Sequence, residues 1–203
     1  MINIDKSSLI GKGNHREVYR HPENDNLCIK VVVDGSSESR QELREKSYYK
    51  HLENRGASWD MIPKYYGEIM TNLGMGSVFD LVSDHDGSVS KTLEYYTASN
   101  EITEEHYDSL KDSCYLLKDY LLKNRIITKT IAARNIVCQK NESGIFKLSL
   151  IDNIGNLDLI PLSNYIRILA KLKINRRWER FERNILKANP DNEVLRRMLT
   201  SSL

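Results

Sequence analysis

The chain has 203 residues, 40% of them hydrophobic and 29% charged, enough to bury a core without disulfides or a structural metal. Its 30 Lys and Arg against 28 Asp and Glu leave a net charge of +2, which excludes a histone-like polycation and makes nucleic acid a weak partner expectation. No apolar run nears the roughly 20 residues that cross a bilayer, no basic-then-apolar leader opens the chain, and Cys28, Cys114 and Cys138 are scattered, so a reduced, cytoplasmic protein is expected.

Strand chemistry comes first. Ser8-Leu9-Ile10, Glu17-Val18-Tyr19 and residues 27–33 are rich in apolar side chains. Gly11 and Gly13 separate the first pair, and His21-Pro22-Glu23-Asn24-Asp25-Asn26 supplies turn residues before the third. After a polar stretch over 34–39, Leu43, Lys46, Tyr49 and Leu52 predict one face of a helix that stops at Gly56. Residues 64–70 and 77–83 predict two further strands. Asp84-His85-Asp86-Gly87-Ser88 reads as a hinge turn and not as a metal site, because adjacent residues rarely converge on one ion.

Beyond the hinge, Tyr107, Leu110, Cys114, Leu117 and Leu121 recur in steps of three and four and predict a helix over 104–123. Short strands follow at Ile136-Val137-Cys138 and 146–151, joined by Asn141-Glu142-Ser143-Gly144. Ile174, Trp178, Phe181 and Ile185 mark a second long helix, and Pro190 breaks it before a short last one. Strands first and helices second predict an α+β chain of two lobes, residues 1–84 and 85–203.

Several residues offer chemistry. Gly11 and Gly13 make a tight turn whose N–H groups can approach phosphate oxygens, although a plain hairpin turn has the same pattern. Lys30 lies inside an apolar strand. It either points to solvent or presents a fixed ammonium held by a carboxylate of the next helix, with Glu45 the better placed partner and Glu42 the poorer. His15, in the glycine turn, is either a phosphate contact or a surface residue. Between residues 167 and 187 eight Lys or Arg stand against two Glu. Such a helix is either a solvated face with Glu at pairing distance or a docking surface for a protein, an anionic lipid or a nucleic acid.

Together these features resemble the protein-kinase fold. Gly11-Lys12-Gly13-Asn14-His15-Arg16-Glu17-Val18 is similar to the G-x-G-x-x-G-x-V loop, with Arg16 in the third glycine's place, and Cys28-Ile29-Lys30 to the V-A-I-K strand. The resemblance implies that Gly11, Gly13 and Val18 cover ATP, that Lys30 pairs with Glu45 and the α/β-phosphates, and that backbone near Asp80 and Val82 meets adenine. Residues 126–137 resemble the catalytic loop and Asp152-Asn153-Ile154-Gly155 resembles D-F-G, which implies Asn135 and Asp152 as Mg²⁺ ligands. Thr130 takes the catalytic aspartate's place and Ala132 that of the lysine two residues on. General-base help of about 10²–10⁴-fold is therefore lost, and ATP binding is better supported than turnover.

A narrower resemblance, carried by Ile62-Pro63-Lys64-Tyr65-Tyr66-Gly67, Phe79-Asp80-Leu81-Val82, Asp152-Asn153-Ile154-Gly155 and Leu159-Ile160-Pro161-Leu162, is to the PhoP regulatory network protein YrbL family, a shortened kinase-like fold. It implies an ATP- and Mg²⁺-binding regulatory protein that is either a weak phosphotransferase or a pseudokinase acting through its basic helix. No A-P-E motif is present, and 48 residues follow Gly155, too few for the substrate-docking helices of a full protein kinase.

Overall fold

The apolar strand segments of the first 80 residues build one antiparallel sheet. The computed structural model describes residues 1–13, 16–32, 40–158 and 160–200. Strands β1 (Leu9–Lys12), β2 (Arg16–Arg20), β3 (Leu27–Val32), β4 (Tyr65–Thr71) and β5 (Gly74–Asp80) lie in the order β1-β2-β3-β5-β4. Helix α1 (Arg40–Asn54) enters between β3 and β4. Asn14, His15 and residues 33–39 lie outside the described residues, as do Leu159 and residues 201–203.

Successive side chains of a strand point to opposite faces. Ile29 and Val31 of β3 therefore join Ile4, Tyr19 and Val78 on one face of the sheet. Cys28 and Phe79 face the larger cluster, which runs on through Leu110, Leu117 and Leu121 to Trp178 and Phe181. The approach of β3 to β5 is close. A Cβ added at Gly76 would lie 2.4 Å from Ile29 Cγ2, so the backbone there admits no side chain without movement.

Helix α1 corrects the sequence reading. Leu43, expected on the apolar face, is 53% exposed, whereas Glu45 is buried together with Tyr48, Tyr49 and Leu52. Hydrophobic periodicity alone cannot register a carboxylate that remote cations neutralise. The side chain of Glu42 lies outside the described residues. The strand expected over 77–83 ends at Asp80, because Leu81 N–H turns away to donate to the Asn26 carbonyl at 2.8 Å.

Two short helices, α2 (Leu93–Tyr96) and α3 (Asn100–Glu105), were not legible in the pattern; Thr92 and Ser99 cap them by accepting from Tyr95 N–H and Ile102 N–H. Glu104 and Glu105 belong to α3, so α4 covers Tyr107–Lys123. Of its expected apolar stripe Leu110, Cys114, Leu117 and Leu121 are buried and Tyr107 is half-buried. Strands β6 (Ile136–Asn141) and β7 (Gly144–Leu150) form a separate hairpin. Helix α5 (Arg167–Ala188) buries Ile174, Trp178, Phe181 and Ile185, and α6 (Glu193–Thr200) closes the described chain.

Asn192 locks α6 in place. Its amide donates to the carbonyls of Thr97 and Ser99 and to Thr103 Oγ1, while its Oδ1 caps α6 by accepting from Leu195 N–H at 2.8 Å. No helix among the described residues is long and apolar enough to cross a membrane.

Candidate functional site

The β1–β2 turn is closed by Gly13 N–H donating to the Arg16 carbonyl at 2.8 Å. Gly11 lies opposite Val18 in the ladder, and an added Cβ at Gly11 would touch Val18 Cβ at 3.8 Å. Val18 itself packs against the larger core cluster. His15, expected either beside phosphate or at the surface, falls outside the described residues.

Strand alternation turns Lys30 to the same side as Cys28, away from buried Ile29 and Val31, so it points inward and not to solvent. Its Nζ donates to the Ile151 carbonyl at 2.7 Å and stands 4.6 Å above the Phe79 ring. An ammonium has three N–H donors. This bond to Ile151 is the sole hydrogen bond of the Lys30 ammonium among the described residues. The contact bridges 121 positions of sequence and sets the β3 lysine beside Asp152.

The expected Lys30–Glu45 pair is not formed. Glu45 instead accepts from Lys129 Nζ at 2.7 Å, with side chains 4% and 11% exposed respectively, and Arg16 lies 3.7 Å from the same oxygen. The reason is backbone geometry. Asn153 adopts φ 61°, a left-handed value that Asn tolerates, and so offers its carbonyl to Lys129 N–H at 2.7 Å. Gly155 N–H donates to the Ile127 carbonyl at 2.9 Å, and Thr128 bridges Ile154. Zipped along 153–155, Lys129 passes over Gly155, where a Cβ would already meet its Cε at 3.5 Å, and reaches α1. Tyr48 completes the dock: its hydroxyl accepts from Ile127 N–H at 2.7 Å.

Asn135 ends a 3₁₀ turn (Ala133–Asn135), and its carbonyl accepts from Ile151 N–H at 2.9 Å, one step beyond the β6–β7 ladder. Asn135 and Asp152 therefore stand at the same open end of that hairpin. Arg16 NH2 lies 3.4 Å from Asp152 Oδ1. Burial pushes the Asp152 carboxyl up, but the charges of Lys30 and Arg16, the Asn153 N–H and Lys129 outweigh it and hold it below the ordinary carboxylate range. Three cations, Arg16, Lys30 and Lys129, surround two carboxylates, Glu45 and Asp152, a net charge of +1.

At the end of β5, Asp80 is a structural clamp. Its carboxylate accepts from Lys64 N–H at 2.7 Å and from the Tyr66 hydroxyl at 2.8 Å. The Asp80 carbonyl accepts from the Cys28 thiol at 3.7 Å, and the Val82 N–H makes no hydrogen bond among the described residues. Asp84, in the expected hinge turn, accepts from Ser90 Oγ and Lys140 N–H. Thr130 is exposed, and the buried Thr128 hydroxyl has no partner among the described residues.

This donor set fits a phosphate-bearing ligand better than a bare ion. A free-sided lysine and a net positive cluster suit phosphate oxygens. Asp152, held ionised, and the neighbouring Asn135 amount to two oxygen ligands, which suits Mg²⁺ that shares its shell with waters and phosphates. No cluster of three His, Cys, Asp or Glu able to cage a metal occurs among the described residues. The sequence reading missed Lys129 and the bridging role of Arg16. A buried Glu45 demands a cation, but nothing in local sequence says which one arrives.

Comparison with known proteins agrees with the narrower resemblance. The PhoP regulatory network protein YrbL family matches residues 2–186. The chain is 37% identical over 183 residues to the Escherichia coli (strain K12) protein called "Uncharacterized protein YrbL", covering 89% of this chain and 86% of that one. The Shigella flexneri protein of the same name matches equally well. With nearly the whole length matched, the chain belongs to the PhoP regulatory network protein YrbL family.

Proposed function

We propose that this chain is a kinase-like regulatory protein whose two lobes, residues 1–84 and 85–203, hold Mg·ATP between them. The observation that carries the reading is Lys30, whose side chain reaches from β3 to the Ile151 carbonyl beside Asp152. Gly11, Gly13 and Val18 cover the phosphates, and Lys30 directs its two uncommitted N–H donors at them. The Asp80 carbonyl and the Val82 N–H, the latter without a hydrogen bond among the described residues, face the adenine. Asn135 and Asp152 are the residues that would hold Mg²⁺, which when bound neutralises charge on the phosphate oxygens. Arg16, 3.4 Å from Asp152, would have to release that carboxylate for it to serve as a ligand.

Glu45 acts indirectly in this reading. Bound to Lys129, it anchors α1 to the 127–129 segment, while Lys30 stays available. Positioning and charge neutralisation support slow phosphoryl transfer at most, because Thr130 has no carboxylate to take a proton. The bridge from Arg16 to Asp152 favours a second reading, a catalytically silent module that binds nucleotide without turning it over.

Thermal unfolding with and without Mg·ATP tests the binding. Ligand at 100 times its Kd stabilises by about 2.7 kcal/mol, or roughly 5–11 °C for a chain of this size. Lys30→Met and Asp152→Ala are each expected to lose most of that shift. No shift at millimolar Mg·ATP, or an undiminished shift in both variants, overturns the proposal. Labelled ATP then separates the two readings: transfer of label that disappears in Lys30→Met favours the enzyme, and binding without transfer favours the silent module.

A further inference from the structure

Among the described residues, the segment that follows Gly155 concentrates exposed apolar side chains. Of the large hydrophobic side chains exposed among the described residues, eight fall between Leu157 and Leu172. Ile160 and Ile168 are 71% and 70% exposed, so they protrude and do not line a groove, while Tyr165, 69% exposed, packs edge-on with the His51 ring, centroids 5.4 Å apart. Isolated exposed apolar residues need no explanation, but a contiguous set marks an interaction surface.

This segment is held in shape from beneath. Asn156, itself buried, donates to Ser163 Oγ at 3.0 Å and to Asn164 Oδ1 at 2.8 Å, and its Oδ1 accepts from Lys173 Nζ at 2.6 Å. Lys173 also pairs with Asp158 at 2.7 Å. A buried lysine and a fully bonded asparagine thus fix the loop to α5 while its apolar side chains point outward.

Helix α5 continues the same face. Opposite its buried stripe, the outward positions recur in steps of three and four: Ile168 and Leu172, then Arg176, Arg180, Arg183 and Lys187, all exposed. The pairing expected between these cations and nearby glutamates is not formed. Among the described residues no ion pair involves an exposed cation of α5, and Glu182 accepts from the Trp178 indole N–H at 2.6 Å. The face is therefore protruding and apolar at one end, and cationic with unspent charge at the other.

We propose that this face, Leu157, Ile160, Leu162, Tyr165 and Ile166 with the outward side of α5, docks the protein on an anionic phospholipid bilayer. Protruding aliphatic and tyrosine side chains beside unpaired Lys and Arg are what an interfacial anchor requires: the apolar groups enter the acyl boundary and the cations meet headgroup phosphates. A second copy of the chain suits the face less well, since a two-fold would set the cations of α5 either against each other or against the apolar end of the partner, and neither neutralises them. The proposal does not rest on the nucleotide reading.

Co-sedimentation of the full chain with vesicles tests it, using phosphatidylcholine alone and phosphatidylcholine with about a third phosphatidylglycerol. The expected result is binding to the phosphatidylglycerol vesicles at least about tenfold stronger than to the neutral ones, weakened by salt. Ile168→Ser/Leu172→Ser and, separately, Arg176→Glu/Arg180→Glu/Arg183→Glu are each expected to reduce that binding by about tenfold or more. Both sets alter exposed side chains, so the wild-type circular dichroism and melting temperature are expected to persist. If one set fails to fold, the other decides. No binding, equal binding to both vesicles, or binding untouched by either folded variant overturns the proposal. So does a wild-type dimer that Ile168→Ser/Leu172→Ser converts to monomer, which would assign the face to a second copy.

Discussion

Replacing Lys129 by methionine removes the cation that Glu45 touches while keeping most of the side chain's volume. At 2.7 Å the two charges attract by about 6 kcal/mol with an effective dielectric of ~20. Most of that is offset by the cost of taking both out of water; removing Lys129 forfeits the attraction but leaves the share of that cost that belongs to Glu45. Glu45 would then be an isolated carboxylate with a side chain 4% exposed, a situation that costs about 3–5 kcal/mol. Arg16, 3.7 Å away, supplies part of the lost neutralisation, so the lower end, about 3 kcal/mol, is expected. Urea denaturation measures it directly, and the melting temperature should fall by about 6–12 °C.

The double-mutant cycle carries the decision. Glu45→Gln with Lys129→Met is expected to be less damaging than the two single costs added together, with a coupling of about 2–3 kcal/mol. The same cycle with Lys30→Met should show coupling near zero, because Lys30 donates to the Ile151 carbonyl and not to Glu45. A larger coupling for Lys30 than for Lys129 would refute the assignment of Lys129 as the partner of Glu45.

Three further outcomes follow from particular contacts. Gly76→Ala is expected to cost about 1–3 kcal/mol in urea denaturation, since the new methyl would lie 2.4 Å from Ile29 Cγ2 in a packed sheet. Asn192→Ala removes the α6 cap and leaves the Thr97 carbonyl short of a partner, while the Thr103 hydroxyl keeps the Tyr96 and Ser99 carbonyls. A loss of about 2–4 kcal/mol, with faster amide exchange across α6 than across α4, is expected. Asp152 has its folded-state pKa depressed by Lys30 and Arg16 against the effect of burial, so the stability it contributes is complete above its unfolded pKa of about 4 and is lost as pH falls below that. The decline in melting temperature between pH 5 and pH 3 should therefore be shallower in Asp152→Asn than in the wild type, and an equal decline would show that Asp152 is not held ionised by these charges.

Much of the architecture was legible without coordinates because it depends on local periodicity. Leu110, Cys114, Leu117 and Leu121 stand three and four apart and are buried on α4, as Ile174, Trp178, Phe181 and Ile185 are on α5. The β3 and β5 segments, rich in apolar residues, form strands for the same kind of reason. The family, too, was readable from short motifs, and nearly the whole chain matches it.

What the tertiary structure decided lies in contacts between residues far apart in the chain. Glu45 is buried and Leu43 exposed on α1, opposite to what hydrophobicity indicates, because Lys129 and Arg16 arrive from elsewhere to neutralise the carboxylate. The glutamates of α5 looked close enough in sequence to quench its cations, yet side-chain direction leaves the exposed ones unpaired among the described residues. Periodicity reports which side of an element is apolar, whereas the partner of a charge depends on where distant backbone segments meet. In this protein that was settled by the left-handed turn at Asn153 and the room above Gly155, through which Lys129 and not Lys30 reaches Glu45.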